Sequence, residues 1–188
     1  AEQAWRRSRL ATLNLRSRIA ELGIACNLSE RPSLYLAGNM LGPADLREEA
    51  DARNRAGLDA TYLTKSGLSD RFGIDRAGAI LSHGNLTLDP RKLAAGMLLK
   101  AVERGARLYA PVEAVAFETS RDGVGVNTLD GPVMTAGHVV LATGYELAGI
   151  VPGDGHRVIS TWAIATAPQK RRLWPRAALL WEASDPYL

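Results

Sequence analysis

Few side chains in this chain stand at spacings that do chemistry. Its three histidines, His83, His138 and His156, belong to no HExxH pattern and are not spaced with Cys or Asp as metal ligands are. Each reads as a loop or strand-end residue, and no metal site is expected. Cys26 is the single cysteine, so neither an internal disulfide nor a cysteine metal cluster can form, and it reads as a small core side chain. No serine sits in a G-x-S-x-G elbow and no P-loop occurs, so the nucleophile and the phosphate cradle of those two chemistries are missing. Gly123-Val124-Gly125 reads as a hairpin-like turn and Gly153-Asp154-Gly155 as a loop, and neither forms a G-x-G-x-x-G turn between a strand and a helix. What remains is Val139-Val140-Leu141-Ala142-Thr143-Gly144. Small residues at the carboxyl end of a buried strand let backbone approach a flat ligand, although a strand running into an ordinary turn looks the same.

The elements that would position such a segment alternate in period. Trp5, Leu10, Leu13, Ile19 and Leu22 lie broadly on one stripe and predict a helix over 5–22, closed by Gly23. A short strand is expected over 33–37. A polar helix over 45–56 should follow, opened by Pro43 and ended by Gly57. Leu63, Leu68, Phe72 and Ile74 suggest a short helix, and 79–82 a strand. The clearest helix has Asp89 as cap, Pro90 at its first position, Leu93, Met97, Leu98 and Ala101 as its apolar face, and Gly105 as its stop. Beyond it the period falls to two, predicting strands over 106–109, 112–118, 124–128 and 133–134. The continuously apolar centre of 138–143 predicts a parallel strand buried on both faces. Two more strands are expected over 158–167 and 177–183. Helices and strands are mixed, with a helix-to-strand crossover over 89–109, so the class is α/β or α+β.

A chain of 188 residues that is 46% apolar and 23% charged can build a core, as one domain or parts of two, which excludes a disordered tail or a disulfide-stapled mini-protein. The formal net charge of +3 conceals +4 over residues 1–18 and +4 over residues 170–176, so everything else sums to −5. Neither basic end is interleaved with stacking aromatics or joined to a nucleic-acid-binding signature, so solvated faces are expected and a nucleic-acid partner is not. No apolar run approaches the roughly 18–20 residues a membrane span needs, and no signal-peptide pattern is present. A cytoplasmic, reducing location is expected. The chain starts within a helical pattern without Met and stops straight after an apolar run, so both ends read as cut.

The order of several motifs resembles the D-amino-acid oxidase family of FAD-dependent oxidoreductases, which includes glycine oxidase and sarcosine oxidase-like enzymes. The matching features are Leu88-Asp89-Pro90 opening a helix, Gly105-Ala106-Arg107-Leu108-Tyr109, the meander over 111–135, and Val139 to Gly144. Ser160 to Thr166 and Trp181 to Tyr187 resemble strands of the family's substrate-binding sheet, and residues 15–37 resemble the segment leading into it. The resemblance implies part of an FAD-binding Rossmann-like domain over 1–32 and 85–156, and part of a mixed-sheet substrate-binding domain over 33–84 and 157–188, both incomplete. It implies FAD as cofactor and a small amine or amino acid as substrate. Hydride would pass from the carbon beside the amine to the flavin, the imine would hydrolyse, and in oxidase members O₂ would reoxidise the flavin to give H₂O₂.

Carried over by position, Glu113, Ala114 and Val115 match the strand whose backbone meets the adenine, and Ala142, Thr143 and Gly144 match the strand end that passes close to the cofactor. No catalytic residue is assigned. The family's amino-terminal strand, Gly-rich turn and ribose-binding acid have no counterpart here, nor does its pocket-closing carboxy-terminal region. The chain is therefore expected to be an internal piece of one about twice as long, without tight FAD binding or turnover alone, and able to self-associate through exposed sheet edges. Two other readings are a non-catalytic binding or interaction domain and a fragment of a pyridine-nucleotide-dependent flavin reductase. The second would need a redox cysteine pair, and Cys26 is alone.

Overall fold

The computed structural model describes residues 2–144, 149–151, 155, 159–171 and 173–185. In chain order the elements are α1 (Glu2–Leu22), β1 (Ser29–Leu36), α2 (Pro43–Arg55), β2 (Ala60–Thr64), α3 (Lys65–Phe72), β3 (Gly78–Thr87), α4 (Pro90–Glu103), β4 (Ala114–Ser120), β5 (Gly123–Thr128), β6 (Met134–Ala136), a 3-10 turn (Pro175–Ala177) and β7 (Leu179–Glu182). The class is mixed α/β. The chain divides into two compact units, Ala1–Gly105 with Ala167–Leu188, and Ala106–Thr166.

The first unit is built on a four-stranded sheet in the order β2-β3-β1-β7. β3 runs antiparallel to both β1 and β2, whereas β7 joins β1 in parallel. Alternation along the strands sends side chains to opposite faces. Leu34, Leu36, Leu63, Ala79 and Leu81 meet Leu68 and Phe72 of α3, and Ala37, Ala60 and Ile80 meet Leu46 and Ala50 of α2. Local chemistry opens each helix. The Asp45 carboxylate accepts from the Gly42 N–H at 2.8 Å, Thr64 Oγ1 accepts from the Gly67 N–H, and Asp89 Oδ1 accepts from the N–H groups of Arg91 and Lys92. Gly73, at φ +67°, ends α3 in the left-handed conformation that glycine adopts without a Cβ clash.

Helix α1 is held differently, since Ile19 is its one buried residue. Arg6 Nε and Arg9 Nη1 donate to the carbonyls of Ala56 and Gly57, so two cations sit at the negative end of the α2 dipole. The Arg53 guanidinium lies 4.7 Å from the Trp5 ring centroid and 5.7 Å from that of Tyr35, and it donates to Glu49 at 2.8 Å. Arg53→Ala is expected to cost about 1–2 kcal/mol through the lost aromatic and charged contacts. Hydrogen exchange should show α1 amides losing protection while those of β3 keep it. Equal protection in both proteins would mean that α1 does not depend on Arg53.

The second unit is an antiparallel meander, β4-β5-β6, and none of its described residues is buried. Here several expectations are corrected. Residues 106–109, 138–143 and 159–167 form no strand, so α4 is followed by an irregular stretch over 104–113 and reaches its next strand only at β4; residue 158 lies outside the described residues. Val140 is 86% exposed and Trp162 and Ile164 are each 94% exposed. An apolar or alternating run becomes a strand only when neighbours complete its ladder, and no described segment pairs with these. Gly123-Val124-Gly125 lies inside β5, the turn being Arg121-Asp122. In the first unit, β2 replaces part of the expected 63–74 helix, and His83 lies within β3. The last expected strand, 177–183, is realised as the end of the 3-10 turn followed by β7.

Candidate functional site

Glu113 leads into β4, where its carbonyl accepts from the Leu129 N–H at 3.0 Å. The ladder then pairs Ala114 with Thr128 and Ala116 with Asn127, leaving Val115 as an extra residue in a bulge. A bulged residue has no partner residue in the ladder, and the ladder is disrupted locally around it. Glu113, Ala114 and Val115 are all exposed. Beside them opens a cleft of about 890 Å³ lined by Tyr109, Val112, Glu113, Leu129, Pro132 and Met134 among others. Its size and largely apolar walls are those of a small-molecule site.

Ala142, Thr143 and Gly144 are exposed as well, but in coil rather than at the end of a buried strand. Gly144 has φ +67°, and open space surrounds the position a Cβ would take. No hydrogen bond joins this segment to residues 113–115 among the described residues. The two predicted triplets thus fall in one unit as separate exposed stretches, of which only Ala142 to Gly144 is composed of small residues.

One pair escaped sequence reasoning. His83 Nδ1 lies 3.2 Å from Asp59 Oδ2, in a crevice of about 140 Å³ beneath α1. The β2–β3 register pairs Ala60 with Ser82, which sets Asp59 opposite His83 one step further out. The signal lay in the β-favouring run Ala60-Thr61-Tyr62-Leu63-Thr64. Among the described residues, no polar or charged side chain is buried and no group of His, Cys, Asp or Glu could hold a metal ion. Cys26 is 1% exposed, in keeping with a core side chain. His138 lies in coil after β6, and His156 is outside the described residues. No helix among the described residues is long and apolar enough to cross a membrane.

The family model described as DAO, FAD dependent oxidoreductase, matches residues 1–187. Among solved structures, glycine oxidase from Geobacillus kaustophilus matches with TM-score 0.61 and 26% identity, over 72% of this chain and 38% of that one. NikD, an unusual amino acid oxidase essential for nikkomycin biosynthesis, matches with TM-score 0.59 and 26% identity, over 72% of this chain and 36% of that one. L-proline dehydrogenase from P. horikoshii matches with TM-score 0.60 at 20% identity, over 73% of this chain and 37% of that one, a likeness of fold. This chain spans less than two fifths of the length of each. No curated protein matches it. FAD is the cofactor of the matched family, and the match runs through all but the last residue: the chain belongs to the DAO family of FAD-dependent oxidoreductases.

Proposed function

We propose that this chain is part of an enzyme that oxidises the C–N bond of a small amino acid or amine with FAD, and that its own contribution is placement. The observation that carries the placement is the bulge at Val115, which interrupts the ladder two residues from Glu113 in the wall of a cleft of suitable size. The residues fit the group. Glu113, Ala114 and Val115 offer exposed backbone to an adenine edge, and Ala142, Thr143 and Gly144 offer a stretch with almost no side chain to keep a flat ring away. Bound FAD would accept hydride from the carbon beside the amine, so the protein need only orient and shield the reactants. Absence of any buried titratable side chain among the described residues accords with that division of labour. Residues 1–32 and 85–156 are assigned to the cofactor side and 33–84 with 157–188 to the substrate side. The parallel β1–β7 pairing, which joins both parts of the latter in one sheet, supports that assignment.

The longest product of the gene, loaded with FAD and mixed anaerobically with a panel of amino acids and amines, should lose its oxidised-flavin absorbance with at least one of them. A protein that binds FAD and is reduced by none would sink the amine reading. For the chain by itself, an FAD titration followed by amide chemical shifts should show weak binding that perturbs residues 113–115 and 142–144, because no G-x-G-x-x-G turn is present to hold the pyrophosphate. Val115→Pro removes one backbone donor and should weaken that binding about tenfold. Shifts confined to other residues would displace the assignment.

A further inference from the structure

The crevice beneath α1 continues into a second one of about 220 Å³, and the two share Arg9, Thr12, Asp59, His83 and Gly84. Three arginines line them, and two are already neutralised: Arg16 pairs with Glu30 at 3.1 Å and Arg53 with Glu49 at 2.8 Å. Arg9 is different. Its one protein hydrogen bond among the described residues goes to the Gly57 carbonyl at 3.3 Å, and no carboxylate pairs with it. Asp59 is the matching case of opposite sign. His83 Nδ1–H satisfies one of its lone pairs, and a neutral imidazole leaves the carboxylate charge in place. Arg9 and Asp59 line the same space without forming an ion pair with each other. Ser8 and Ser82 also line it, and neither hydroxyl has a protein partner among the described residues.

A separated cation and anion facing one small space are complementary to a molecule that carries the opposite pair a few atoms apart. A lone anion would gain Arg9 and be repelled by Asp59, and a lone cation would meet the reverse. Each crevice taken singly falls below the roughly 300 Å³ at which drug-sized pockets begin, so a ligand that meets Arg9 and Asp59 within either one has only a few heavy atoms. We propose that the crevice beneath α1 is a binding site for a small zwitterion, its carboxylate held by Arg9 and the hydroxyls and its ammonium by Asp59. His83 acts as a positioning residue that fixes the Asp59 carboxylate. The site lies within the first unit and needs neither flavin nor the predicted cofactor residues, so it stands or falls apart from the proposed reaction.

The test is an amide chemical-shift titration of the chain at about pH 8, above the ordinary histidine range, with glycine, β-alanine, acetate and methylammonium. Either zwitterion should give saturable shifts at residues 9, 59 and 82–84, while acetate and methylammonium bind at least about tenfold more weakly. Arg9→Gln and Asp59→Asn, both at exposed positions, should each bring zwitterion binding down to the level of the singly charged probes. His83→Gln, which retains a donor towards Asp59, should weaken it less than Asp59→Asn. Acetate binding as tightly as glycine would overturn the proposal in favour of a plain anion site. Absence of saturable shifts with either zwitterion, or shifts that persist in both Arg9→Gln and Asp59→Asn, would overturn it altogether.

Discussion

Leu34→Ala is expected to lower the stability of the first unit by about 3–4 kcal/mol. Leu34 is wholly buried in the second half of β1, opposite Leu81 of β3 on one side and Leu180 of β7 on the other. Its side chain belongs to the cluster formed with Leu68 and Phe72 of α3. Truncation removes the transfer free energy of the lost carbons and leaves a void that a strand hydrogen-bonded on both edges cannot close. Against the roughly 5–15 kcal/mol typical of a whole domain, that loss is a large share. Urea unfolding followed by tryptophan fluorescence reads it well, since Trp174 packs against this cluster and Trp181 lies in β7. The midpoint should fall with little change in slope. Leu10→Ala, at an exposed site on α1, is the control and should stay within about 0.5 kcal/mol. A Leu34 variant as stable as that control would mean that the sheet is not packed as described.

What could be read from the residues follows from how far each signal reaches along the chain. Helices α2 and α4 announce themselves locally, through Pro43 and Asp45 in one and Asp89, Pro90 and Gly105 in the other, because caps and stops act within a turn. The alternation of β1, β4 and β5 was legible for the same reason. β2 was not, since Ala60 to Thr64 is too short to show a period, and only the ladder to β3 defines it. The apolar run over 138–143 errs in the opposite direction: its composition suits a buried strand, yet pairing is a property of two segments and no described segment completes it. The site divides along the same line. Residue types mark Ala142 to Gly144 as an unobstructed backbone, and only resemblance pointed to residues 113–115. That Val115 is the bulged residue, and that His83 faces Asp59, are matters of register.

Gly38→Ala is expected to detach β7 from the sheet, at a cost of about 3 kcal/mol or more. Glycine is not needed here for its backbone freedom, because Gly38 is absent from the positions of positive φ. It is needed for space: an added Cβ would overlap the Ala183 carbonyl and the Ser184 Oγ. The hydroxyl could rotate away, but the carbonyl is fixed, because it accepts from the Met40 N–H at 2.9 Å while the Ala183 N–H donates to Leu36. Asn39 completes the join. Its backbone N–H donates to Ser184 Oγ, its side-chain amide donates to the Asp185 carbonyl, and its side-chain oxygen accepts from the Asp185 N–H. Asn39→Ala removes the two side-chain bonds and leaves the space unchanged, so it should cost less, about 1–2 kcal/mol. Hydrogen exchange separates the two variants. Gly38→Ala should strip protection from the amides of Ala183 and Asp185 together, whereas Asn39→Ala should expose Asp185 and leave Ala183 bonded to Leu36. Retained protection of Ala183 in Gly38→Ala would show that the backbone relaxes around the methyl group. The contrast matters because, among the described residues, β7 pairs with the sheet through β1 alone. Contacts made between residues some 145 positions apart repay their loop-closure entropy only if the join is exact, and a methyl group at Gly38 takes the space that makes it so.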